Sequence, residues 1–159
     1  MTRMLHPEES EAPIRQVLVV SHDYGSRTIC ARMLSQAGFA VSEAENGQAA
    51  WSALLAGSCE LVITDDFMPG CTGLELAEQM RSDGMTTPVI LISGAAESPG
   101  RIVSSGAQMV VFLAKPFSFY ELLILVNAAL DSFPTTAQRR TGARRQESVV
   151  GRGARQLGR

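Results

Sequence analysis

Four short polar segments of this sequence carry residue types that act on phosphorus or bind metal ions. They are Ser21-His22-Asp23, Asp65-Asp66, Ser93-Gly94 and Lys115-Pro116. A carboxylate such as that of Asp65 can attack phosphorus as a nucleophile and form an acyl phosphate. A hydroxyl and an ammonium group, which Ser93 and Lys115 supply, can hold the oxygens of a transferring phosphoryl group. The combination is typical of phosphoryl chemistry, provided that the fold brings the four segments together.

Each of these segments lies at or just beyond the end of a short apolar run, as expected where a buried strand ends. The runs that predict strands are 17–20, 39–44, 61–63, 89–92 and 109–113. The spacing of apolar residues predicts helices over 24–36 and 47–57, from Leu74 onward, near 98–105 and over about 118–131. Five strands alternating with helices require right-handed crossovers, which give a parallel sheet covered on both faces.

The predicted fold class is therefore α/β with a doubly wound parallel sheet. In this class, ligands bind in the crevice outside the carboxyl ends of the strands. The four polar segments lie at the predicted carboxyl ends of four of the five strands. The sequence thus predicts that they form one site at that edge of the sheet.

Several longer stretches of the sequence match one known family. The matching stretches are Val17–Val20, Ile63-Thr64-Asp65, Met68-Pro69-Gly70, Gly73-Leu74-Glu75-Leu76, Pro88–Ser93 and Phe112-Leu113-Ala114-Lys115-Pro116-Phe117. Over about Gln16 to Asp131 the chain resembles a response-regulator receiver domain, the phosphoacceptor module of two-component signalling. The resemblance implies a flavodoxin-like (βα)5 fold with five parallel strands in the order 2-1-3-4-5.

The resemblance also implies roles for individual residues. Asp65 matches the phosphoacceptor, Ser93 the hydroxyl that binds the phosphoryl group, and Lys115 the lysine that contacts both. Phe112 matches an aromatic switch residue, and Pro116 matches a proline that follows a cis peptide bond. Asp65 and the Phe67 backbone carbonyl match ligands of Mg²⁺. Lys115 is the only lysine among 14 basic residues, which favours a role in the pocket over that of an ordinary surface lysine.

One departure from the family pattern concerns the metal site. Receivers usually carry two acidic residues after the first strand, and these bind Mg²⁺, but here the positions hold Ser21 and His22. Mg²⁺ requires hard oxygen ligands, so a weakened metal site and slowed, altered or absent phosphorylation are expected. Asp23 either reaches the site or caps the first helix. For His22 three interpretations are open: a ligand for a softer metal such as zinc, a phosphorylatable histidine, or an inert lining residue, which its strand-end position favours.

Charge is distributed unevenly along the chain. Residues 1–133 contain 7 basic and 15 acidic side chains, whereas residues 134–159 contain seven arginines and one glutamate. This pattern predicts a flexible segment over 1–15, a receiver domain over 16–133, and a disordered Arg-rich tail over 134–159. The tail could bind nucleic acid or an anionic membrane. It has no interleaved aromatic residues for stacking on bases, which favours a merely solvated tail.

The sequence also predicts where the chain resides. Its apolar runs, such as Leu122–Val126, are far shorter than the roughly 20 residues that cross a bilayer. The first 15 residues contain three glutamates and no apolar core, unlike a signal peptide. Three cysteines without a CxxC pair indicate neither a disulfide framework nor a zinc site. A cytoplasmic protein is expected.

The leading functional interpretation is a stand-alone receiver that is not an enzyme. Its implied partners are a histidine kinase or phosphotransfer protein and a downstream protein that binds the face formed by 98–131. Ile124 and Leu125 on the last predicted helix favour a partner or dimer surface, although single exposed apolar residues are common. Two alternatives are open: a degenerate receiver that binds partners without phosphorylation, and a small phosphohydrolase with Asp65 as nucleophile. The second alternative would need Asp-x-Asp, whereas the order here is Asp65-Asp66-Phe67.

Overall fold

The computed structural model describes residues 13–94, 102–105 and 108–132. The strands are β1 (Gln16–Val20), β2 (Ala40–Ala44), β3 (Leu61–Asp65), β4 (Val89–Ser93), β5 (Ile102–Ser105) and β6 (Gln108–Ala114). The helices are α1 (Tyr24–Gln36), α2 (Gly47–Ala56), α3 (Gly73–Ser82) and α4 (Phe119–Ser132). The predicted tail over 134–159 and most of the predicted flexible segment over 1–15 lie outside the described residues.

The strands form one six-stranded sheet with the order β2-β1-β3-β4-β6-β5. The first five strands in this order are parallel, and β6 is the fifth strand that the sequence predicts. The predicted order 2-1-3-4-5 and the α/β fold class are therefore confirmed. In the part of the chain that the structure describes, no helix is long and apolar enough to cross a bilayer.

The helix predicted near 98–105 is wrong over 102–105. These residues form β5, which pairs antiparallel with β6 in a register that runs from Ile102 opposite Val111 to Ser105 opposite Gln108. Ile102 and Val103 are β-branched residues, which favour a strand when a partner strand is available. The apolar residues of this short segment do not recur at helical spacing, so its pairing with β6 decides its conformation. Residues 98–101 lie outside the described part of the chain.

The two faces of the sheet bury two separate apolar clusters. Alternate residues of β1 point to opposite faces, with Val17 and Val19 on the α1 and α4 side and Leu18 and Val20 on the α2 and α3 side. All five residues of β3 are buried, as expected for a central strand covered on both faces. The core thus fixes β1 and β3 side by side, with their carboxyl ends at one edge.

Side-chain caps fix where three helices begin. Asp23 caps α1, Asn46 caps α2, and Thr72 caps α3 as part of a capping box with Glu75. Each side chain accepts a hydrogen bond from a backbone N–H in the first turn, which would otherwise lack a partner. Because α1 and α3 start next to the ends of β1 and β3, their caps also set the shape of that edge.

The start of α3 lies unusually close to the end of β3. The Gly73 N–H donates to the Asp66 carbonyl at 2.9 Å. A Cβ atom added at Gly73 would lie only 2.4 Å from the backbone oxygen of Asp65. Only glycine therefore allows α3 to approach β3 at this point without a shift of the backbone.

We expect the Gly73→Ala substitution to destabilise the fold by about 1–3 kcal/mol, the usual range for overpacking of a tight contact. The free energy of unfolding from urea titration is the appropriate measurement. Gly94→Ala is a matched control, because an added Cβ there would have no neighbour within 4 Å. Equal stability of the two variants would show that the close approach is not a constraint.

Candidate functional site

Four strand ends meet at one edge of the sheet, as the sequence predicts. Asp65 is the last residue of β3 and Ser93 the last residue of β4, while Ser21 and Lys115 directly follow β1 and β6. Asp65 pairs with Ile92 in the sheet register, and the Lys115 N–H donates to the Ser93 carbonyl at 2.9 Å. The parallel register therefore places these residues around a single crevice.

The Asp65 carboxylate is held by a hydrogen-bond donor on each of its two oxygens. The Lys115 ammonium lies 3.2 Å from Oδ1, and the Ser21 hydroxyl donates to Oδ2. Asp65 is only 8% exposed, so these donors replace the water that a free carboxylate would bind. Each carboxylate oxygen can accept two hydrogen bonds. The arrangement therefore leaves acceptor capacity on both oxygens.

Ser21 is itself held firmly by its surroundings. Its backbone N–H donates to the Ala44 carbonyl at 3.1 Å, and its hydroxyl oxygen accepts from the Asp23 N–H at 3.2 Å. The Arg27 guanidinium donates to the Ser21 carbonyl at 2.6 Å. These contacts fix the buried Ser21 hydroxyl in a position to hydrogen-bond Asp65.

Arg27 is a site residue that sequence reasoning missed. Besides its contact with Ser21, it pairs with Glu43 at 3.3 Å and lies 5.5 Å from the centre of the Tyr24 ring. Its partner Glu43 is 16 residues away on β2, and no local spacing pattern connects the two. Only the parallel pairing of β1 with β2 could have indicated this contact, because it brings α1 over the end of β2.

Comparisons with known proteins agree with this arrangement. Residues 17–127 match the family model described as the response regulator receiver domain. The chain belongs to this family. Receiver domains are in general signalling modules, and their partners are histidine kinases or phosphotransfer proteins.

Relatives of this receiver include full-length regulators and isolated domains. The transcriptional regulatory protein ResD of Bacillus subtilis is 31% identical over 115 residues, covering 72% of this chain and 48% of ResD. The phosphate regulon regulator PhoB of Pseudomonas aeruginosa is 29% identical, covering 89% of this chain and 54% of PhoB. The response regulator TrrA of Thermotoga maritima, solved in complex with Mg²⁺-BeF, is 31% identical with a TM-score of 0.64, covering 74% of this chain and 100% of TrrA. The chain thus spans about half the length of the two regulators.

The structure also describes the surroundings of the remaining predicted site residues of this receiver. The Ser93 hydroxyl donates to Oδ2 of Asp66 at 3.5 Å. Asp66 is half-buried and links β4 to α3 through its backbone, so it is a structural residue and not merely a solvated one. Phe112 is partly buried and packs against the cluster on the α2 and α3 side of the sheet. The Lys115–Pro116 peptide bond is cis.

The residues around Asp65 do not fit a Mg²⁺ ion. Mg²⁺ needs near-octahedral oxygen ligands, usually with more than one carboxylate or with substrate phosphates. Here Ser21 donates a hydrogen bond to Asp65, and the other nearest group is an ammonium. His22 is exposed and offers a nitrogen in place of a hard oxygen, while the Phe67 backbone carbonyl remains a predicted ligand. Within residues 13–94, 102–105 and 108–132, no three His, Cys, Asp or Glu side chains lie together as a metal site, for zinc or for magnesium.

Asp23 acts as the cap of the first helix. Its Oδ1 accepts from the Ser26 N–H at 3.0 Å, and the side chain is exposed. The hydrogen bond from Ser26 is the main cause that lowers the pKa of Asp23, followed by the opposing effect of burial and by smaller contributions from neighbouring positive charges. The ionised carboxylate is thus the form that stabilises the start of α1.

We expect restoration of the acidic pair, in the double variant Ser21→Asp/His22→Asp, to raise the Mg²⁺ affinity about tenfold or more by adding hard anionic ligands. Isothermal titration with MgCl₂ measures the affinity directly. The variant Gln48→Asp/Ser52→Asp on the exposed face of α2 is a control with the same change in net charge. Equal Mg²⁺ affinities of the two double variants would show that the pocket has been placed wrongly.

The cap at Asp23 predicts a pH-dependent effect on stability. The pKa of Asp23 is lowered in the folded protein. Its contribution to the stability of the fold is therefore complete above the ordinary pKa of 3.8 and is lost as the pH falls through the pKa of the folded state. Asp23→Ala should therefore lower the melting temperature at pH 7, and its difference from wild type should shrink at pH 3. Asp23→Asn retains an acceptor and should melt close to wild type at pH 7. Equal melting temperatures of Asp23→Ala and wild type at pH 7 would contradict the capping role.

Proposed function

We propose that this receiver accepts a phosphoryl group on Asp65 from a histidine kinase or phosphotransfer protein and signals by contact with other proteins. The observation that carries the proposal is the Asp65 carboxylate at the end of β3, nearly buried and 3.2 Å from the ammonium of Lys115. A carboxylate in this position is a nucleophile with its counter-charge already in place.

The proposed transfer needs only groups that the pocket and a phosphorylated partner supply. A lone pair on one Asp65 oxygen forms a new O–P bond while the P–N bond of a phosphohistidine breaks, and its electron pair returns to the imidazole nitrogen. Lys115 stabilises the negative charge of the phosphoryl oxygens during transfer, and the ordered Ser21 hydroxyl fixes the orientation of the carboxylate. Both residues are held by contacts that exist before the partner arrives.

A second candidate function is a degenerate receiver that binds partners without phosphorylation. It is favoured by the Ser21 hydroxyl on Oδ2 and by Ser21 and His22 at the two positions where receivers usually carry acidic residues. With Lys115 on Oδ1, the carboxylate is already neutralised and hydrogen-bonded. Such a pocket would keep the same charge balance and hydrogen bonds without any phosphorylation.

For the downstream partner we propose protein contact through the α4 side of the domain, in the cytoplasm. Ile124 is 49% exposed on α4, whereas Leu125 is partly buried against the core. The apolar pair that the sequence suggests is therefore a single exposed residue. Self-association of the chain tests for binding of a second copy, and pull-down with candidate regulators tests for binding of another protein.

We expect incubation with acetyl phosphate or phosphoramidate to add one phosphoryl group per chain, detected by intact mass spectrometry. The adduct should form equally with Mg²⁺ and with EDTA, because the pocket does not fit the ion and Lys115 supplies the positive charge. It should disappear in Asp65→Asn and persist in Asp66→Asn, which changes the neighbouring carboxylate in the same way.

Each outcome separates the two candidates. Absence of an adduct on a folded wild-type protein under every condition would remove the phosphoacceptor function and leave the degenerate receiver. An adduct that persists in Asp65→Asn would assign the phosphoryl group to another residue. An adduct that requires Mg²⁺ would show that the ion binds despite the altered ligand set.

A further inference from the structure

A large open groove runs along the sheet between α1 and α4. Its volume is about 670 Å³, within the range of roughly 300–1,000 Å³ that is typical of small-molecule sites. Beneath it lie the core residues Val19, Ile63 and Ile92, each at most 7% exposed. The groove therefore extends from the phosphoryl pocket over the apolar face of the sheet.

The walls of the groove are mainly apolar. The side chains that form them are Ile29, Cys30 and Met33 on the α1 side and Phe117, Phe119 and Leu122 on the α4 side. Ile29 is 62% exposed at the rim, although an isoleucine would normally be covered. Cys30 is a small residue at the middle of the α1 wall, and its burial raises the pKa of its thiol to about 11, so the wall is neutral there. These features favour an apolar occupant.

One end of the groove is polar and presents hydrogen-bond donors. It is formed by Ser21, Asp65 and Lys115. Asp65 already accepts from the other two, whereas the Lys115 ammonium has three N–H donors and a side chain that is 46% exposed. The complementary group on a ligand is therefore an acceptor, and a negatively charged acceptor binds an ammonium most strongly.

The other charged groups near this end are already engaged. Arg27 donates to the Ser21 carbonyl and pairs with Glu43. Asp23 accepts from the Ser26 N–H at the start of α1. Lys115 also has a partner, Asp65, but its side chain is 46% exposed and its ammonium has further N–H donors, so it is the cation at this end of the described site that a ligand can reach.

We propose that the groove is a binding site for a small apolar molecule that carries one carboxylate or similar oxyanion. The apolar part lies between α1 and α4, and the anionic group contacts Lys115. Such a ligand uses the same ammonium as a phosphoryl group on Asp65, but most of its contacts lie outside the phosphoryl pocket. Because a phosphoryl group on Asp65 would compete for that ammonium, binding of the ligand is measured on the unphosphorylated protein.

The test uses two fluorescent probes with the same aromatic body. 8-Anilinonaphthalene-1-sulfonate carries an anionic group, and N-phenyl-1-naphthylamine does not. We expect saturable binding of the sulfonate probe with one molecule per chain, measured by fluorescence titration. Lys115→Met should weaken binding of the sulfonate probe about tenfold, the effect of one charge-assisted hydrogen bond, and leave the neutral probe nearly unchanged.

Two substitutions fill the groove without changing its charge. Cys30→Phe and Met33→Trp each add a ring to the α1 wall, and both should weaken the two probes at least about tenfold because the apolar part loses its space. Leu55→Phe is the control, since Leu55 is 60% exposed on α2, on the opposite side of the sheet. Circular dichroism melts of every variant show which of them are folded, and two filling variants guard against the loss of one.

Unchanged probe binding in a folded filling variant would overturn the groove as the site. Equal weakening of both probes by Lys115→Met would overturn the assignment of the anionic end. None of these measurements uses phosphorylation, so the groove and the phosphoacceptor function fail or succeed separately.

Discussion

The structure of this receiver depends on how a nearly buried carboxylate is kept stable at the edge of a parallel sheet. Removing a carboxylate from water is costly unless hydrogen-bond donors replace the water. Asp65 receives them from Lys115 and from Ser21, which belong to different parts of the chain. The two donors can meet only because β1, β3 and β6 are parallel and end at the same level. The order of the strands thus has a direct electrostatic consequence.

Most of the fold could be predicted because its signals are local. The apolar runs of β1 and β3 and the helical spacing of α1 are each contained in a few consecutive residues, and the helix found over Tyr24–Gln36 has the predicted bounds. The segment at 102–105 was predicted incorrectly because its state depends on pairing with β6. Its few residues carry no strong periodicity, so a distant contact decides their conformation.

The site was predictable only in part, for a related reason. Residue type and position at strand ends indicated Asp65 and Lys115, and the structure brings them together. The family pattern after the first strand could not indicate what takes the place of the acidic pair. In the structure this is a hydrogen bond from the Ser21 hydroxyl to Asp65, and Arg27 holds Ser21 in position. Arg27 in turn pairs with Glu43 on another strand. Such chains of contacts connect residues with no fixed spacing in the sequence.

Lys115 gives the pocket a positive charge that requires no dissolved ion. Its positive charge is covalently part of the chain and lies 3.2 Å from the carboxylate that it balances. A site whose counter-charge comes from a dissolved ion is filled according to the concentration of that ion, whereas this pair is complete as soon as the domain folds. This part of the charge balance in the pocket is therefore inherited directly from the sequence.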